Sequence, residues 1–192
     1  SAGIWIWMNN SSWSQLHTLS PDSMVTGDMD NNGLDDVVID FGSAGIWIWM
    51  NNSSWSQLHT LSPDSMVTGN VDNNGLDDVV IDFGATGIWI WMNNSSWSLL
   101  HSLSSDSMVS GDMDSNGQDD VIIDFGNTYG LWVWMNNSSW VKLHSLSADS
   151  LVTGNIDGLA SVAPSNNLEL SDTLPEVEII ELPEVELEVQ LP

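Results

Sequence analysis

The chain has 192 residues, of which 42% are hydrophobic and none is cysteine. Twenty-seven acidic residues face a single base, Lys142, giving a formal net charge of −26. This balance excludes nucleic-acid binding and arginine clamps on phosphate, which need clustered cations. The lack of cysteine excludes a disulfide framework and thiolate chemistry.

The first segment, GIWIWM from Gly3, alternates Ile4, Ile6 and Met8 with Trp5 and Trp7. Both faces are apolar, so the strand is expected to be covered on both sides. NNSS (9–12) carries turn chemistry, and WSQLHTL (13–19) alternates as a half-buried strand. SPDS (20–23) turns the chain again, and MVTG (24–27) is a short strand leading into an acidic loop. DVVIDFG (36–42) follows as a strand of β-branched residues. No segment sustains a helical period.

The same unit then returns. GIWIWMNNSSW begins at Gly3, Gly45 and Gly87, and GLWVWMNNSSW begins at Gly130, so the spacings are 42, 42 and 43 residues. Four short strands in a unit of this size predict an all-β fold, a β-propeller of about four four-stranded blades stacked face to face. Stacking accounts for three tryptophans per unit, which one unit alone cannot bury. The chain starts partway through a unit and regains only the MVTG-like segment near residues 151–157. With MVTG innermost, joining the two ends would complete the first blade and close the ring. Blades from two chains in a homo-oligomer are the alternative.

The repeats are assigned to residues 1–158. Residues 159–192 hold all seven glutamates and no tryptophan. With prolines at 175, 183 and 192, they read as an acidic extended tail or linker, or as an added edge strand.

The acidic loop carries the chemistry. In DMDNNGLDD, Asp28, Asp30 and Asn32 stand at positions 1, 3 and 5. Gly33 follows at 6, Leu34 offers a backbone carbonyl at 7, and Asp36 stands at 9. The second copy supplies Asn70, Asp72, Asn74, Leu76 and Asp78; the third supplies Asp112, Asp114, Asn116, Gln118 and Asp120. Alternating oxygen ligands around a turn glycine suit Ca²⁺, which takes six to eight oxygens, better than the rigid octahedron of Mg²⁺. Three such loops without basic partners are a poor design for a merely polar turn, because the carboxylates repel one another. About three calcium sites are expected, the second weaker for having Asn70 in place of an aspartate. Position 12 holds Ile39, Ile81 and Ile123 where an EF-hand needs glutamate, so these are not EF-hands.

GDMDNNGLDDVVIDFG and GDMDSNGQDDVIIDFG resemble the FG-GAP or VCBS type of repeat, found in integrin α-subunit propellers and many secreted bacterial proteins. The resemblance covers residues 1 to about 157. It implies a calcium loop between two strands of each blade, and a bacterial extracellular or cell-surface setting. The units are short for the integrin type, and their tryptophan-rich segment is unusual.

His17, His59, His101 and His144 recur once per unit, on a strand read as outermost, and are expected to hydrogen-bond within their blades. No G-x-S-x-G nucleophile motif accompanies them, and no enzymatic activity is expected. The paired tryptophans of each GIWIWM segment are expected in the core between blades. Trp13, Trp55, Trp97 and Trp140, beside the NNSS turns, are candidates for stacking on sugar rings. The sequence thus points to a calcium-binding adhesion or binding module. Its alternatives are a carbohydrate-binding lectin and a purely structural module of a larger surface protein. Partners are expected among calcium, glycans and extracellular proteins, without membrane insertion.

Overall fold

A computed structural model describes residues 2–154. The acidic tail and the end of the fourth unit lie outside the described residues. Among the described residues fourteen strands account for almost all regular structure, joined by short turns, two single-turn 3₁₀ segments and the four-residue helix α1 (Gly126–Tyr129). Among the described residues no helix is long and apolar enough to cross a membrane.

The strands form four antiparallel sheets. Sheet I holds only β1 (Ile4–Met8) and β2 (Ser12–His17). Sheet II is a four-stranded meander of β3 (Ser23–Gly27), β4 (Asp36–Asp40), β5 (Ile46–Met50) and β6 (Ser54–His59). Sheet III repeats it with β7 (Ser65–Gly69), β8 (Asp78–Asp82), β9 (Ile88–Met92) and β10 (Ser96–His101). Sheet IV follows with β11 (Ser107–Gly111), β12 (Asp120–Asp124), β13 (Leu131–Met135) and β14 (Ser139–His144).

Local chemistry sets each boundary. Asn9 and Asn10 sit at φ 49° and 53°, and Ser11 N–H donates to the Met8 carbonyl at 2.9 Å. Two consecutive residues at positive φ make the kind of tight turn that follows strand twist, and asparagine tolerates that region better than most residues. The predicted strand at 13–19 runs instead from Ser12 to His17. It ends there because the imidazole Nδ1 of His17 accepts the Leu19 N–H at 3.1 Å and turns the backbone away. The strand predicted to reach Gly42 stops at Asp40, whose Oδ1 accepts the Gly42 N–H at 2.8 Å and starts a 3₁₀ turn.

The core lies between sheets. Val38, Ile46 and Ile48 of sheet II pack with Met66, Val79 and Ile81 of sheet III. Val80, Ile88 and Ile90 of sheet III pack in turn with Met108, Val121 and Ile123 of sheet IV. Strands β4, β8 and β12 are therefore apolar on both faces, as their β-branched sequences require. An aromatic trio repeats at each junction. His17 lies 4.8 Å from Phe41 and 5.6 Å from Trp55 between ring centroids; His59 meets Phe83 and Trp97, and His101 meets Phe125 and Trp140, in the same way.

Strand β7 also touches both β3 and β11. The Thr68 hydroxyl donates to the Thr26 carbonyl at 2.5 Å and the Ser110 hydroxyl to the Thr68 carbonyl at 2.5 Å. Thr153, beyond the last strand, continues the series by donating to the Ser110 carbonyl at 2.6 Å. Sheet I lacks counterparts of β3 and β4, and among the described residues β1 pairs only with β2. The described residues form an open series of stacked sheets.

Candidate metal centre

Each acidic loop joins the first two strands of a sheet, at the end where β3, β7 or β11 stops in glycine. The loop folds around its first residue. Asp28 Oδ1 accepts the Asn32 N–H at 3.0 Å and Oδ2 accepts the Gly33 N–H at 2.7 Å. Asn31 and Gly33 at φ 57° and 83° bring those N–H groups round. Desolvation works to raise the Asp28 carboxyl, but the N–H groups of Gly33 and Asn32 lead a set of backbone donors that hold it below its usual value. Asp112 makes the same pair of bonds to Asn116 and Gly117, at 3.0 and 2.8 Å.

Carboxylate oxygens of Asp28, Asp30 and Asp36 lie within 4.8 Å of one another, and so do those of Asp112, Asp114 and Asp120. The sequence placed these residues together, and the structure brings them to one spot in both loops. The second loop offers two carboxylates, Asp72 and Asp78, with the Asn70 amide oxygen accepting the Asn74 N–H at 3.0 Å. Asn32, Asn74 and Asn116 use their side-chain oxygens inside the loop, accepting the N–H of Leu34, Leu76 and Gln118 at 2.7–2.8 Å.

Asp36, Asp78 and Asp120 are buried at the start of the second strand of each sheet. Burial raises the carboxyls of Asp78 and Asp120, that of Asp78 to about 6 despite the Asn93 N–H that it accepts. A site built only of carboxylate and amide oxygens, with like charges crowded together and no basic side chain in hydrogen-bond contact, suits a hard divalent cation.

Sequence reasoning missed two groups here. The first comprises Asn51, Asn93 and Asn136, which open the NNSS turns. Their backbone N–H groups donate to Asp36, Asp78 and Asp120 at 2.6–2.8 Å, and their side-chain amides to Asp30, Asp72 and Asp114 at 2.6–2.9 Å. The signal for them was the β4–β5 register, which pairs Val37 with Trp49 and so sets Asn51 beside Asp36. The second comprises Asp77 and Asp119, which reach the preceding loop. Asp77 Oδ2 accepts the Asp28 N–H at 2.8 Å while its own N–H donates to the Asp28 carbonyl at 2.9 Å. Asp119 and Asn70 repeat this clip at 2.9 and 3.0 Å. A Cβ on Gly27 would stand 2.8 Å from Asp77 Oδ2, so glycine there keeps the space for the clip.

The other candidates are spread along the outer strands. Trp55, Trp97 and Trp140 are partly buried in the aromatic trios, whereas Trp13 is 65% exposed. All four histidines accept a backbone N–H at Nδ1, two residues on, at 3.0–3.1 Å. The proton of the neutral ring is thus placed on Nε2, and burial lowers the pKa of His59 and His101. An apolar cleft of about 340 Å³ between sheets I and II is lined by His17, Leu19, Phe41, Ala44, Trp47 and Trp55.

The sequence matches no family model, and no similar curated protein was found.

Proposed function

We propose that the chain builds a calcium-stabilised β-propeller of the FG-GAP or VCBS type, working outside the cell as a binding or adhesion module. The observation that carries this reading is the convergence of three carboxylates in each of two equivalent loops, with no basic side chain among them. Calcium at those points neutralises the loops, ties the first two strands of each sheet together and leaves the outer turns as a repeated surface. A protein that binds an ion only when folded gains about 2.7 kcal/mol per site at a hundredfold excess over Kd. Thermal melting in calcium and then in chelator is therefore expected to show a large fall in Tm on chelation. An unchanged Tm would mark the loops as polar turns.

The cleft between sheets I and II favours a second reading, a carbohydrate-binding lectin. Its indole faces at Trp47 and Trp55 offer the apolar platform that a sugar ring stacks on. A glycan array probed in calcium tests it, with the Trp55→Ala variant expected to lose any signal.

A further inference from the structure

We propose that the second acidic loop holds its cation partly through a ligand from outside the loop, the side-chain carbonyl of Asn93 on the β9–β10 turn, acting with Asp78 Oδ2. This rests on the reading of the acidic loops as calcium sites.

Two buried oxygens carry the inference. In the first and third loops, one oxygen of the buried aspartate accepts the N–H of Met29 at 3.2 Å or Met113 at 2.9 Å. The turn asparagines there are also satisfied, since Asn51 Oδ1 accepts from the Asn32 amide and Asn136 Oδ1 from the Asn116 amide. In the second loop the Val71 N–H donates to the Gly69 carbonyl at 3.0 Å and faces Asp78 only outside hydrogen-bond geometry, while the Asn74 amide donates to Asp72 at 3.0 Å. Asp78 Oδ2 and Asn93 Oδ1 are left buried without a hydrogen-bond partner.

Asn93 stands between the two carboxylates. Its backbone N–H binds Asp78 Oδ1 at 2.7 Å and its side-chain amide binds Asp72 Oδ2 at 2.9 Å. Its free carbonyl thus belongs to the same cluster as both aspartates. Buried acceptors are ordinarily matched by donors, and like charges need a counter-charge. The one basic side chain, Lys142, sits 5.4 Å from the centre of the Trp132 ring instead. A bridging water can donate to two acceptors but leaves the charge; a divalent cation satisfies both demands. The loop that lost a carboxylate at Asn70 thereby regains an oxygen from the neighbouring turn.

Calorimetric titration of the full chain with Ca²⁺ alone tests this, using Asn93→Gly and Asn93→Asp. Asn93 has φ 54°, which glycine adopts without strain and aspartate tolerates. Near-UV circular dichroism of the tryptophans checks that each variant folds. Asn93→Gly is expected to weaken one binding step about tenfold or more, leaving the others in place, and Asn93→Asp to restore it. Unchanged titration of Asn93→Gly overturns the ligand assignment while the calcium reading stands. A step lost in both variants overturns it too, marking Asn93 as a support of the turn. A wild-type chain that takes up no calcium overturns both readings.

Discussion

The two strands of sheet I match β9 and β10 of sheet III almost residue for residue, yet they live in different surroundings. Sheet III has neighbours on both faces: Ile88 and Val80 are fully buried, and Met66 is 7% exposed. Among the described residues sheet I meets sheet II on one face alone, leaving Trp5 and Trp7 nearly half exposed and Trp13 65% exposed. Met24 shows the same effect from across the junction. It is 47% exposed where Met66 and Met108 are buried, because among the described residues sheet I holds no counterpart of β3 or β4 to cover it. The same repeat tryptophan is therefore 48% exposed at Trp5, partly buried at Trp47 and Trp89, and 3% exposed at Trp132. What the repeat specifies is a pair of complementary faces, and burial depends on whether a neighbour is present.

The comparison can be broken at the tryptophans. Replacing Trp97 by alanine removes a ring packed on His59 and Phe83, and is expected to cost about 3 kcal/mol in urea unfolding. Trp13→Ala is expected to cost less than about 1 kcal/mol, losing only its contact with Trp7. Equal losses would show that Trp13 is covered in solution, and hence that the series of sheets closes on itself or on another copy.

The aspartate clips sharpen it further. Asp77→Ala deprives the buried end of β3 of an acceptor for the Asp28 N–H, and should cost about 1.5 kcal/mol by the same measurement. Asp35 is exposed, and its substitution by alanine should change stability by less than about 0.5 kcal/mol. A matching loss at Asp35 would reveal a partner loop on the open side of sheet II.

A smaller effect separates the middle loop from the others. The Asp78 carboxyl, at about 6, lies above its ordinary value of 3.8, so the metal-free folded state binds this proton more tightly than the unfolded chain. That contribution is present in full below the ordinary value and is lost as pH rises through 6. In chelator, lowering the pH from 7 to 5 should stabilise the protein by about 1 kcal/mol through this group. Asp78→Asn should remove that part of the slope, which subtracts the general relief of negative charge. Identical slopes for the two proteins would contradict it.

Much of this was legible in the residues. The alternation in IWIWM, the glycine-terminated MVTG and the β-branched DVVID place the strands of each sheet, and MVTG does form an edge strand beside DVVID. The Asp–x–Asp spacing places the carboxylates that converge in the first and third loops. What escaped depends on partners distant in sequence. Asp77 acts on a backbone N–H 49 residues away, and Asn51 on a carboxylate 15 residues away across a strand pair. In the second and third DD pairs only the second member follows the ligand spacing, and the first, Asp77 or Asp119, serves the loop of the sheet before it. Asp40 was likewise read as part of a strand, yet its second oxygen accepts the Ser62 hydroxyl at 2.9 Å and ties down the turn before β7. Neither local propensity nor ligand spacing encodes such reach.

The hydroxyl series at the inner strands has a direction. Thr68 gives its proton to Thr26, Ser110 gives to Thr68, and Thr153 gives to Ser110, so every hand-over points back toward the start of the chain. Each unit carries one giver and one receiver in the same orientation, like links cast from a single mould. A duplicated unit therefore fits its copy without compensating change, and the array can gain or lose members as whole units.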